Sequence, residues 1–123
     1  MGLTITAERT KPDISILKLC GSLNSETYGL LDSEVGRAVA EPVRVLVLDM
    51  DGVGFLASSG IAAMLKARSS LAREHATLAL INLQPQVRAV LEVIRILPMF
   101  TVFQGRNELD EYVGKMPPPS VRT

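Results

Sequence analysis

The chain has 123 residues, 47% hydrophobic and 21% charged, which is enough for one globular domain with a real core and too few for a separate catalytic lobe. Thirteen basic and 13 acidic residues give a formal net charge of zero without a lysine or arginine cluster, so the electrostatic footprint of a nucleic-acid or anionic-membrane binder is missing. One cysteine, no legible signal peptide and no apolar run of bilayer-spanning length lead to an expectation of a cytoplasmic protein that docks on a protein or a small molecule.

In chain order, Leu3, Ile5 and Ala7 alternate with polar residues, Lys11, Pro12 and Asp13 turn the chain, and Ile14, Ile16, Leu17 and Leu19 resume an apolar pattern. This is the signature of an opening β-hairpin. Asn24 or Ser25 is placed to cap a helix with a stripe of Tyr28, Leu31, Val35, Ala38 and Val39. Val45 to Leu48 is a continuous apolar run, the mark of a strand covered on both faces. Asp49 is expected to end it, Asp51, Gly52 and Gly54 to supply turn chemistry, and Phe55 and Leu56 to dip back into the core. Ser58 or Ser59 then caps a helix from about Gly60 to Glu74, whose apolar face holds Ile61, Met64, Leu65, Leu71 and Ala72, with Arg68 snorkelling on the same stripe. Leu78 to Ile81 reads as a strand. Pro85 opens a helix with Val87, Val90, Leu91 and Ile94 on its stripe, and Pro98 closes it. A last strand spans Phe100 to Phe103, and Asn107 caps a short helix holding Leu109, Tyr112 and Val113.

The order ββαβαβαβα predicts an α/β domain over residues 1–115, with a mostly parallel sheet after the hairpin and about four helices. Residues 116–123, rich in proline, are expected to form an extended, disordered tail. In such sheets sites gather at the carboxyl edge, where Gly21 to Thr27 and Asp49 to Gly60 are the polar loops.

The segment LVLDMDGVGFLASSGIAAML resembles the signature of the sulfate transporter and anti-sigma factor antagonist (STAS) family, in which an apolar strand leads through a loop to D-S-S-G and a helix. Gly21, Ser22, Leu23 and Asn24 are similar to that family's G-x-L-D turn. The resemblance implies an anti-sigma factor antagonist that binds a serine-kinase anti-sigma factor and releases the sigma factor. It further implies that the kinase phosphorylates Ser59, or alternatively Ser58, that a PP2C-type phosphatase removes the phosphate, and that the partner surface comprises Asn24, Ser25, Thr27, Phe55, Leu56, Ala57, Ser58, Gly60 and Ile61. Two positions depart from the pattern: Ala57 and Asn24 stand where the family carries aspartates.

Other readings compete. Within the same fold, the domain could serve as a cytoplasmic accessory of a transport system with no phosphorylation. Asp49, Met50 and Asp51 after a strand resemble the nucleophile motif of haloacid-dehalogenase phosphatases, but the chain is short for that fold and lacks its downstream paired aspartates; Asx-type turn hydrogen bonding is the favoured role of Asp49 and Asp51. His75 reads as a solvated helix-terminal residue and Cys20 as a small core residue. No metal, cofactor or enzymatic activity is expected.

Overall fold

The computed structural model describes residues 2–117. Of the expected tail 116–123, residues 118–123 lie outside the described residues, but its first two residues are not detached from the domain: Met116 packs against the core and the Pro117 carbonyl accepts from Arg44 Nη1. Strands β1 (Leu3–Lys11), β2 (Ile14–Leu23), β3 (Val45–Leu56), β4 (Thr77–Ile81) and β5 (Thr101–Phe103) lie side by side in sequence order. Only the β1–β2 hairpin is antiparallel. Helices α1 (Tyr28–Val39), α2 (Ser58–Arg73) and α3 (Pro85–Val93) cross between the parallel strands, and α4 (Arg106–Gly114) follows β5. The ββαβαβαβα order and the five-stranded mixed sheet are those read from the sequence.

The apolar run at the start of β3 is buried on both sides, as its composition requires. Leu46 and Leu48 join Leu17, Leu19 and Leu80 in the larger core layer, against Leu31 and Val35 of α1, Met64 and Leu71 of α2, and Leu91 of α3. Val45 and Val47 face the other way, with Ile14, Ile16 and Ile81, beneath Leu109 and Val113 of α4; Met116 packs beside them. Each fully buried aliphatic side chain here contributes about 1.5–3 kcal/mol of transfer free energy.

Several sequence expectations fail, at the carboxyl edge and along the helices. β3 does not end at Asp49 but continues to Leu56, because β2 goes on pairing with it through Cys20↔Gly52 and Leu23↔Leu56. The turn-forming residues are absorbed as register shifts in the ladder instead. Asp49 nevertheless makes the Asx-type bond: its Oδ1 accepts from the Asp51 amide at 3.1 Å and from Asn82 Nδ2 at 3.0 Å. Phe55 is 58% exposed rather than returned to the core. Cys20 is also exposed, since it lies on β2 beyond the residues beneath α4. Ala72, Val90 and Ile94 fall on solvent rather than on the buried stripes of their helices. Arg68 does more than snorkel, because its Nε donates to the Met99 carbonyl and ties α2 to the 3-10 turn Leu97–Met99.

The expected helix caps also move. Thr27, not Asn24 or Ser25, holds the N-cap position of α1, and Gly105, not Asn107, that of α4. Glu108 at the third position of α4 reaches back to accept from the Gln104 amide at 2.6 Å. His75 is exposed, as expected, and has φ 58°: its amide donates to Ala72 O and that of Ala76 to Leu71 O, the paired bonds of a Schellman stop.

Candidate functional site

The two loops singled out by the sequence meet at the end of β2. The Leu23 carbonyl accepts the Ala57 amide at 2.9 Å, fixing the entry to α2 against the β2–α1 loop. Gly60 then passes so close that a Cβ there would sit 2.6 Å from Leu23 O and 2.8 Å from Leu23 Cγ. No residue with a side chain fits without moving backbone. The glycine that follows the serines is therefore fixed by packing, and it sets where the serines stand.

α2 starts at Ser58, one residue earlier than a Ser58 cap would put it and two earlier than a Ser59 cap would. Ala57, extended at φ −88° and ψ 168°, holds the N-cap position and offers no side-chain hydrogen bond. Ile61 N donates to Ala57 O at 3.0 Å, the first bond of the helix. Ser58 and Ser59 thus occupy the first and second helical positions and are not caps, which corrects the sequence reading. Ser58 is exposed and Ser59 half-buried. The amides of Ser58, Ser59 and Gly60 lie in the first turn, where a helix has no acceptors of its own, and the missing aspartate of the D-S-S-G pattern would have supplied one.

The adjoining loop is held by Thr27. Its buried hydroxyl donates to Ser22 O at 2.8 Å and accepts from the Asn24 amide at 2.9 Å, while Asn24 Oδ1 accepts from the Glu26 amide at 2.9 Å. Asn24 is therefore committed to the local turn, which needs an acceptor but not a charge.

Of the residues assigned to a partner surface, Ser25, Phe55 and Ser58 are exposed, and Asn24, Ala57 and Ile61 are half-buried. Thr27, Leu56 and Gly60 are buried, which corrects their assignment as contact residues. Sequence reasoning missed Tyr28, which opens α1 and is 43% exposed. Its spacing to Leu31 and Val35 mimics a core position, but buried residues in α1 begin only at Leu31. Asp49 is half-buried with one carboxylate oxygen bonded twice, the arrangement of a structural carboxylate. Among the described residues no helix is long and apolar enough to cross a membrane, and no cluster of three or more His, Cys, Asp or Glu could hold a metal.

Together these features define an α/β domain that presents a fixed serine-bearing edge rather than a cleft. The chain belongs to the STAS domain family, whose family model matches residues 6–109. It is 31% identical over 89 residues, 72% of this chain and 77% of the other, to a Bordetella bronchiseptica protein named "Putative anti-sigma factor antagonist BtrV". The fold superimposes on the anti-sigma factor antagonist SpoIIAA in its unphosphorylated form, with TM-score 0.73, 16% identity, 92% of this chain and 100% of that one. SpoIIAA, described as a Bacillus cell fate determinant, is also solved in a phosphorylated form. The same fold recurs in the murine anion transporter Slc26a9, with TM-score 0.75 and 19% identity over 86% of this chain and 18% of that one.

Proposed function

We propose that this protein is an anti-sigma factor antagonist switched by phosphorylation: it binds a serine-kinase anti-sigma factor and frees the sigma factor until Ser59 is modified. The observation that carries the reading is the position of Ser59, half-buried at the second residue of an uncapped helix and directly before the closely packed Gly60. A phosphate there carries about −1.5 to −2 charge at neutral pH. Free first-turn amides and the helix dipole favour an anion at that point, so the fold tolerates it. The docking surface does not, because a hydrated dianion set between Phe55 and Ile61 must be stripped of water before a partner can close on it. A PP2C-type phosphatase resets the switch, and the domain works by binding, with no catalysis of its own.

The experiment is a pair of variants. Ser59→Ala keeps the apolar surroundings and removes the acceptor, so it binds the kinase as wild type does and cannot be switched off. Ser59→Glu imposes part of the phosphate's charge and binds far more weakly. Equal affinity for both by calorimetry refutes the switch at this edge. Phosphopeptide mapping after incubation with kinase and ATP separates Ser59 from Ser58. The fold shared with Slc26a9 supports a second reading, an accessory domain of a transport system, in which neither serine is ever modified.

A further inference from the structure

We infer that the docking edge is shaped for a basic protein surface containing an apolar pocket, with Tyr28 and Phe55 as its two anchors. The inference rests on the docking reading of the serine turn. The chain has two tyrosines and three phenylalanines. Phe100 is buried, and Phe103 and Tyr112 pack on each other with ring centroids 5.1 Å apart. Tyr28 and Phe55 alone keep large exposed faces, and both stand at the carboxyl edge. Phe55 pairs in register with Ser22, while Tyr28 is tied back to the same loop through its amide bond to Asn24 O at 2.9 Å. Exposed aromatic rings at one edge are the side chains that most often anchor an interface.

Charge identifies the partner. The chain as a whole is neutral, but the segments that build this edge, 21–28 and 49–61, contain Glu26, Asp49 and Asp51 and no lysine or arginine. Asp49 is engaged by Asn82 and lies beside Lys18 in the strand register. Glu26 and Asp51 are exposed, and among the described residues neither belongs to an ion pair. Of the cations on neighbouring elements, Lys66 is paired with Asp32 and Arg106 with Glu8 and Asp110, Arg68 is tied to the Met99 carbonyl, and exposed Lys18 stands opposite Asp49, the one carboxylate of the three not counted as free. Two exposed carboxylates outside any ion pair, carried on the same edge segments as Tyr28 and Phe55, attract Lys and Arg, steer a basic partner onto the edge, and lose that effect as salt rises.

This has a consequence for the switch. A phosphate on Ser59 adds negative charge to an edge that is already acidic, so it cannot act by repelling a basic partner at long range. It acts on the closed contact, and modification therefore speeds dissociation while association is not slowed.

The test uses a serine-kinase anti-sigma factor recovered with the wild-type chain by affinity capture and then purified, with rates measured by surface plasmon resonance at low and high salt. Tyr28→Ala should weaken binding roughly tenfold or more through faster dissociation. Glu26→Gln with Asp51→Asn should slow association roughly threefold to tenfold and flatten its salt dependence. Ser59→Glu should raise the dissociation rate alone. Circular dichroism melts confirm that each variant is folded. If Ser59→Glu abolishes binding while Tyr28, Glu26 and Asp51 variants match wild type, the basic-partner inference is overturned and the docking reading stands. If no variant alters binding, Ser59→Glu included, both are overturned.

Discussion

Replacing Ala57 by aspartate tests the unusual start of α2. Ala57 has the extended backbone of an N-cap but no side chain able to accept, so the amides of the first turn lack the usual oxygen. An aspartate carboxylate at this φ and ψ reaches the amide of Ser59 or Gly60, and an N-cap aspartate is worth about 0.5–2 kcal/mol over alanine. For a chain of this size that raises the midpoint of thermal unfolding by about 3–5 °C per kcal/mol. Ala57→Asn restores the hydrogen bond without the charge, so the difference between the two variants measures the dipole contribution and shrinks with salt. Because the folded helix favours the ionised carboxylate, the Asp advantage is full at neutral pH and fades as pH falls below about 4. Calorimetric melts of the three proteins at pH 7 and pH 3 provide the measurement. Both variants melting at or below the wild-type midpoint at neutral pH would show that Ala57 is not the N-cap of α2. The aspartate also competes with a phosphate on Ser59 for the same amides, so phosphorylation should stabilise wild type more than Ala57→Asp.

Gly60→Ala places a Cβ 2.6 Å from the Leu23 carbonyl, which the gain in helix propensity does not offset; a loss of about 1–3 kcal/mol is expected in urea unfolding. Thr27→Val removes the hydroxyl that joins Ser22 O to the Asn24 amide, and the two groups left unpaired should lower stability by about 1–3 kcal/mol. Amide exchange of residues 21–28 should quicken in the same variant, and an unchanged pattern would show that the loop is held by something else.

The sequence shows the fold wherever periodicity reports burial. The run Val45–Leu48 has the pattern of a strand covered on both faces, and the stripe Leu31, Val35, Ala38 marks α1's buried side. It misleads where a distant contact decides the local state. Asp51, Gly52 and Gly54 carry the composition of a turn, but the neighbouring strand keeps pairing with them and draws them into β3. Ser58 and Ser59 look like caps because a rule for side-chain acceptors cannot select Ala57. The helix start is set instead by the bond from Ala57 N to Leu23 O and by the fit of Gly60, neither of which is visible in one dimension. The serine motif itself was legible; the exposure of Tyr28 and Phe55 was not, since both sit at spacings that elsewhere mean core.

The contact of Gly60 with Leu23 constrains the proposed modification of Ser59. Many modified serines lie on slack segments that thread into a catalytic groove as a linear motif. Here the serine turn is clamped to the sheet on one side and wound into α2 on the other, so it cannot be drawn out to lie extended in such a groove. Under the proposed switch, a kinase or phosphatase would have to come to the domain and read its folded contour. Specificity then belongs to the whole edge, and a peptide carrying only FLASSGIAA is a poor substitute for the intact protein.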